Sequence, residues 1–465
     1  MKNLNVKSLF KGEATQHVLI LAAATILVYF LISIYFMNHF FFHTVINGVD
    51  VSLKAHDDAV DIIRSYIKDY KMQLIERDGD LEEIVGQDIE MQLNEKNGVY
   101  NIYKKQRPFK WLSALVKQQK YYVQDLFIYD LYALENKINE LNCLNKDIIG
   151  PQNVGFKYLN GSYEEIPEVY GNKVNKEKLN EIIVVSILKG KTKLDLNESL
   201  CYENPKYTLN SEKTSKTKNI LNKCISAKVT YIFESEREIV DGNKINEWLS
   251  VDENLDAVIH KDAVKKYVQE LSKKYDTVGI ARKIKASTNR MVEVKGGLYG
   301  WKIDRIGEVQ ALLENIKHGE VLEKEPIYAQ RAIKRGVDDI GDTYVEINIT
   351  RQYLWFYKGG KLLIQGAVVT GNPNRGRATK VGVYMLNYKE EGSVLRGQDY
   401  EAEVKYWMPF YGNIGIHDAS WRYSFGREIY KRSGSHGCIN APLYLAKVIY
   451  NNIEEGTPII CYEEE

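Results

Sequence analysis

Two short stretches near the C-terminus hold side chains whose types and spacing could do chemistry: Gly415-Ile416-His417-Asp418 and Ser433-Gly434-Ser435-His436-Gly437-Cys438-Ile439-Asn440. Acyl transfer by a thiol needs a thiolate, a base to generate it, an acceptor that orients the base and donors for the oxyanion. Cys438 is the candidate nucleophile, and either His417 or His436 can serve as its base. Gly437 permits close backbone approach, so the amides of Gly437 and Cys438 are candidates for an oxyanion hole. Two other readings use the same residues. A free cysteine is often just a small buried hydrophobe, but two neighbouring histidines and several glycines speak against that here. His417, His436 and Cys438 could together hold zinc, yet no second Cys or Glu stands nearby at ligand spacing. The expectation is therefore a site with no metal and no cofactor.

These residues must be positioned by a mostly-β domain over about 340–465. Tyr344–Ile349 alternates with period two, as a half-buried strand does. Gln352–Tyr357, the turn Lys358-Gly359-Gly360 and Lys361–Thr370 form a hairpin signal. Short strands follow, including Val381–Asn387, then a helix near Leu443–Ile453 and a closing strand Pro458–Tyr462.

Upstream, the chain repeats itself. Tyr170-Gly171-Asn172-Lys173-Val174-Asn175 recurs 129 residues later as Tyr299-Gly300-Trp301-Lys302-Ile303-Asp304. Each copy leads into a helical pattern with an Asn or Asp at its N-cap (Asn175, Asp304) and a terminating glycine (Gly190, Gly319), again 129 apart. Glu140-Leu141 and Glu270-Leu271 close a preceding helix in each copy. Two such α+β units in tandem read as a duplication, because solenoids need three or more repeats. The polar stretches Glu76–Asp88 and Lys206–Lys218 read as loops or boundaries, and Val60, Ile62, Ile63, Tyr66 and Ile67 as one face of an amphipathic helix.

Val18–Met37 is a run of 20 residues without a charge. As a helix it would rise about 30 Å, the thickness of a bilayer's hydrocarbon core. Lys2, Lys7 and Lys11 precede it and the next lysine is Lys54, so the positive-inside rule puts the N-terminus in the cytoplasm and the rest outside. Outside a cell thiols tend to oxidise, and five cysteines leave at least one unpaired. Across the 465 residues, 63 Lys and Arg face 62 Asp and Glu. No net basic field exists to hold a polyanion, which excludes nucleic acid as the expected partner.

The C-terminal region resembles the YkuD-type L,D-transpeptidase catalytic domain. The resemblance rests on His417, then 17 intervening residues, then Ser435-His436-Gly437-Cys438-Ile439-Asn440. It extends to the hairpin Tyr344–Gly371 and to Trp421, four residues after the histidine. The resemblance implies Cys438 as nucleophile, His417 as base and the Asp418 backbone carbonyl as its orienter, which leaves the side chain at 418 less critical. It also implies that His436, Ser435 and Trp421 shape the substrate pocket, that Gly437 supplies an oxyanion amide and that Asn440 braces the loop. One departure is the turn Thr379-Lys380-Val381-Gly382, where the family has Thr-Pro-x-Gly. The repeats are similar to the peptidoglycan-binding domain that precedes such catalytic domains; Tyr299 and Trp301 would stack on a ligand or pack in the core.

The organisation implied is a cytoplasmic tail (1–17), a transmembrane signal anchor (18–38), a membrane-proximal stalk (39–88), two peptidoglycan-binding repeats (89–205 and 206–325), a linker (326–340) and the catalytic domain (341–465). The resemblance further implies 3→3 cross-linking of tetrapeptide stems through a thioester, with release of D-Ala, in cell-wall biogenesis. Its partners are a tetrapeptide donor, an amine acceptor, the membrane through one helix, and carbapenems as acylating agents. An L,D-carboxypeptidase, a protein-anchoring enzyme and a non-catalytic wall-binding protein are the alternatives.

Overall fold

A computed structural model describes residues 13–94, 96, 98–336, 338–397 and 400–464. Most of the expected tail, with Lys2, Lys7 and Lys11, lies outside the described residues. The chain divides into two compact units, one of Met1–Gly155 and Glu165–Ser211, the other of Phe156–Glu164 and Glu212–Glu465.

The first unit begins with the helix Glu13–Tyr35. Its span Thr15–Tyr35 has a mean hydropathy of 2.5 and is long and apolar enough to cross a membrane, as an anchor or a signal sequence would be. The stretch expected as a stalk is folded. The helix His56–Lys68 buries Ala59, Ile63 and Ile67 as its period demands. The antiparallel pair Lys71–Ile75 and Leu81–Val85 follows, so strand structure occupies part of the expected loop Glu76–Asp88. The expected helix Lys176–Leu188 starts at Asn175, whose side chain accepts from the Lys178 amide at 2.9 Å. Its successor Lys193–Asp195 pairs parallel with Lys71–Ile75.

The second unit repeats this plan. The helix Glu212–Ile225 occupies much of the stretch expected as a boundary, because Thr214 and Thr217 serve as buried positions in line with Leu221 and Cys224. An antiparallel pair, Lys228–Phe233 with Glu236–Val240, again takes a parallel third strand, Val321–Lys324, from beyond the capped helix Arg305–His318. The copies differ where the first preceding helix, Leu131–Asn139, ends at Glu140, while its counterpart Lys261–Tyr275 runs past Glu270-Leu271.

The C-terminal domain is mostly β, as expected. One sheet has the strand order Lys361–Ala367, Tyr353–Lys358, Tyr344–Asn348, Pro458–Tyr462, Gly382–Met385. The second has the order Glu390–Gly397, Tyr400–Tyr411, Ile414–Asp418, Ile439–Ala441. Between them, with the helix Leu443–Asn452, lies a core that includes Val345, Phe356, Met408, Ile416, Ile439 and Ile459. The second sheet carries the candidate residues His417 and Asn440 and leads in from Cys438.

Candidate active site

The strand Ile414–Asp418 runs between two neighbours that set its register. Parallel pairing with Ile439–Ala441 puts His417 beside Asn440 and Ile416 beside Ile439, so Cys438 enters the sheet next to the histidine. On the other side, antiparallel pairing puts Trp407 beside His417. Two glycines make this closeness possible. Gly437 has φ 125°, and a Cβ there would meet the Ile414 side chain at 2.9 Å. A Cβ on Gly415 would lie 2.7 Å from the Trp407 ring and from the Met408 carbonyl.

Hydroxyl groups brace the cysteine loop. Ser435 Oγ donates to the Cys438 carbonyl at 2.5 Å and accepts from the Gly437 amide at 3.1 Å. Thr379 Oγ1 donates to the Gly437 carbonyl at 2.7 Å and accepts from the Gly371 amide at 3.0 Å. One expectation changes here: the Gly437 amide is engaged within the loop rather than open for an oxyanion. Ser435 lines the cleft while its hydroxyl bonds within the loop. The turn that departs from the family pattern keeps the threonine that does the bracing. Asn440 exchanges both backbone hydrogen bonds with Val369.

His417 is 3% exposed, and its Nδ1 lies 2.8 Å from the Asp418 carbonyl oxygen. A carbonyl only accepts, so Nδ1 carries the proton and Nε2 keeps a lone pair. The ring lies between Trp407 and Trp421, each with its centroid 5.9 Å away. Burial holds the imidazole below its ordinary value of 6.5, against the pull of that backbone bond. The Asp418 carboxylate is more than a bystander. It is buried and accepts from the Lys405 and Tyr406 amides, both at 2.8 Å, fastening the neighbouring strand where the ladder ends.

Cys438 is 6% exposed and packs with Val404 and Trp407. Its Sγ lies 3.5 Å from the Asn413 carbonyl. Burial pushes the thiol up to about 11, while the Gly415 amide pulls it down. The two histidines left open by the spacing differ sharply. His417 is buried with a fixed ring; His436 is exposed, and its Nε2 meets the Arg377 guanidinium.

His417, Cys438, Asn440, Trp421, His436 and Ser435 line one cleft of about 480 Å³. Arg422 lines it as well, and so do Leu395, Glu401, Ala402 and Glu403 from the ribbon Glu390–Gly397 and Tyr400–Tyr411. None of these five was singled out from the sequence. Ala402, Val404, Tyr406 and Met408 alternate with Glu401, Glu403 and Lys405, a period-two signal that marks the ribbon. Within the cleft, Asn440 Oδ1 and Arg422 Nε are buried with no hydrogen-bond partner among the described residues.

Tyr299 and Trp301 are not in this cleft. Both are buried, Tyr299 with its hydroxyl 2.6 Å from the Asp339 carbonyl and Trp301 with the Arg335 guanidinium 3.8 Å above its ring. They pack with Val383, Ile460 and Tyr462 of the C-terminal domain, so the ligand-stacking role considered for them gives way to core packing.

A family model described as "L,D-transpeptidase catalytic domain" matches residues 342–461. A second, described as "Putative peptidoglycan binding domain", matches residues 83–195 and 207–323. No curated protein matches the chain. Among solved structures, the Ldtfm–avibactam carbamoyl enzyme is 31% identical over 54% of this chain and 99% of its own, with a TM-score of 0.44. An Enterococcus faecium L,D-transpeptidase with its cysteine changed to serine is 31% identical, covering 54% of this chain and 100% of that one, at a TM-score of 0.43. The E. faecium catalytic domain acylated by ertapenem is 38% identical over 26% of this chain and 97% of that one, at 0.25.

Proposed function

The chain belongs to the L,D-transpeptidases, and from that premise we propose that it forms 3→3 peptidoglycan cross-links from tetrapeptide stems by cysteine catalysis. The observation that carries the mechanism is the placement of Cys438 and His417 in one cleft, with Nδ1 of His417 held by the Asp418 carbonyl.

The reaction follows from the neutral resting pair. His417 Nε2 takes the thiol proton as Sγ attacks the carbonyl carbon of the third stem residue. As the proton leaves, the Gly415 amide favours the thiolate. With the Gly437 amide engaged by Ser435, the Cys438 amide is the donor assigned to the oxyanion. The C–N bond breaks, His417 returns its proton to the departing D-Ala nitrogen, and a thioester remains. The acceptor's side-chain amine then attacks the thioester, loses a proton to His417 and releases the thiol as the new amide forms. The energy of the broken amide is conserved in the thioester, so no nucleotide is required.

Substrate handling falls to the cleft walls. Arg422 is a half-buried guanidinium whose Nε lacks a partner among the described residues, and it suits the carboxylate of the leaving D-Ala. Glu401 and Glu403 on the facing ribbon attract the cationic acceptor. Asn440 Oδ1 offers an acceptor to a stem-peptide N–H. The same thiol is the group a carbapenem would acylate, which intact mass after exposure tests directly. We place the apolar helix as a single-pass anchor with the N-terminus cytoplasmic and both repeats and the catalytic domain facing the wall. Protease protection in intact cells tests that orientation.

The deciding experiment incubates the full chain with a disaccharide-tetrapeptide and resolves the products by mass spectrometry, beside Cys438→Ala. Dimers that have lost one D-Ala, absent with the variant, support cross-linking. Tripeptide monomers alone would convert the assignment to an L,D-carboxypeptidase.

A further inference from the structure

Between its strand pair and its helix Leu131–Asn139, the first repeat carries residues 86–130, where the second repeat has only 241–260. This longer segment holds the short helices Val99–Lys105 and Leu112–Val116. It is tied to the apolar helix Glu13–Tyr35 at several points. Tyr29 Oη donates to the Phe109 carbonyl at 2.6 Å, and Phe109 also packs edge-on against Phe30. Gln106 Nε2 donates to the carbonyls of Phe36 and His39 at 3.1 and 2.7 Å, where the helix ends. Trp111 and Ala114 bury themselves against Phe36, Phe41 and the Tyr29–Ile32 face.

The depth of these contacts matters. Tyr29 lies six residues before Tyr35, roughly 9 Å back along the helix axis at 1.5 Å per residue. If Thr15–Tyr35 spans the hydrocarbon core, Phe109 and the turn that follows sit below the outer membrane surface. The segment also leaves apolar surface exposed. Phe109, Leu112 and Leu115 are about half exposed, and Val116 is 94% exposed. Residues 96–124 contain seven Lys and Arg (Lys96, Lys104, Lys105, Arg107, Lys110, Lys117 and Lys120) and no Asp or Glu. An apolar tip ringed by cations is the composition of an element seated in the interface of an anionic leaflet.

We propose that Phe109–Val116 is a second membrane contact of this protein, inserted into the outer leaflet beside the anchor helix, with the flanking lysines and arginines on lipid phosphates. A protein partner would have to occupy the space that the bilayer fills around the helix. The inference rests on the anchor reading given above. It would clamp the first repeat to the membrane rather than leave it on a free tether.

The test uses the full chain in vesicles of phosphatidylcholine and phosphatidylglycerol that contain a lipid with a diazirine on its acyl chain. After irradiation, adducts are mapped by peptide mass spectrometry, beside a variant with Leu112→Asn, Leu115→Asn and Val116→Asn. The expected result is adducts on both Thr15–Tyr35 and Phe109–Val116, with only the second set lost in the variant while circular dichroism and cross-linking turnover are kept. Adducts on the helix with none on Phe109–Val116 in the unaltered protein would overturn the proposal and leave the anchor standing. Adducts on neither would overturn both. Because the unaltered protein decides, a variant that misfolds does not rescue the idea.

Discussion

The seam where residues 276–340 pack on the C-terminal domain and the cleft around Cys438 both bury charged and polar side chains, but they complete them differently. In the seam, Arg282 makes a two-pronged pair with Asp339 at 2.7 and 2.6 Å and also donates to the Thr277 and Tyr299 carbonyls. Tyr299 Oη donates to the Asp339 carbonyl and accepts from the Ile333 amide. Glu346 accepts from the Ser287 amide, the Ser287 hydroxyl and the Tyr462 hydroxyl. In the cleft, by contrast, Asn440 Oδ1 and Arg422 Nε have no partner among the described residues, and the cysteine and histidine rest as a neutral pair. Unmet capacity of this kind costs stability, and a substrate with carboxylate, amide and carbonyl groups would supply the missing partners. The seam's Arg282–Asp339 pair is completed by folding, with Arg335 Nε the exception that has no partner among the described residues; the cleft is to be completed by substrate.

The largest effect that would sharpen this contrast is loss of turnover. Cys438→Ala should abolish cross-linking while leaving the unfolding transition near its original midpoint, as read by product analysis beside thermal melting. The pH profile belongs with it. Burial keeps His417 neutral to below its ordinary 6.5, so the acid limb of kcat/KM should lie below pH 6.5. The unfolded chain takes up that proton first, so the histidine's contribution to stability is full above pH 6.5 and is lost as pH falls below it. For Cys438 the sign is opposite. Its thiol rises from 9.0 to about 11, so its contribution holds below pH 9 and is lost as pH climbs from 9 towards 11; Cys438→Ala should remove that alkaline loss.

Next comes Asp339→Ala, which strands a buried guanidinium in the seam. It should cost about 3–5 kcal/mol in denaturant unfolding, with turnover per folded molecule kept. Equal losses of stability and turnover would dissolve the distinction between the regions. Arg422→Gln should do the reverse: kcat/KM for the tetrapeptide falls about 10–100-fold, the scale of hydrogen bonds to a charged group, with stability unchanged or improved. Thr379→Val tests the border, since its hydroxyl holds the loop beneath Cys438. A loss of about 1–3 kcal/mol for the unpaired buried groups should accompany a fall in kcat. The smallest pair compares the duplicated tyrosines. Tyr299→Phe should cost about 1–3 kcal/mol for its two orphaned backbone partners, whereas Tyr170→Phe should stay within about 0.5 kcal/mol, as Tyr170 is exposed.

That pair also shows where the sequence is legible. Tyr170 and Tyr299 occupy matching places, and the helix caps that follow, Asn175 and Asp304, form as the spacing predicts because a cap depends on its own few residues. Burial does not repeat, because the second tyrosine is covered by residues far along the chain, Val383 and Tyr462 among them. The site divides the same way. Cys438, His417 and the Asp418 carbonyl sit close in sequence or in a recognisable motif. Arg422, Glu401 and Glu403 reach the cleft through strand pairing, and Thr379 reaches Gly437 across 58 residues. No local pattern states such contacts. The helix Glu212–Ile225 was hidden for another reason: threonines stand at its buried positions where apolar residues would have shown its face.

The central claim is that Cys438 carries the acyl group while His417 moves the proton. It is tested most directly by mixing the full chain with a tetrapeptide donor, without acceptor, quenching in acid and mapping the modified peptide by mass spectrometry. The prediction is a tripeptide acyl group on Cys438, one D-Ala lighter than the donor, whose formation is lost in His417→Gln. D-Ala release with no adduct on Cys438, or an adduct on Cys143, Cys201, Cys224 or Cys461 instead, would contradict it.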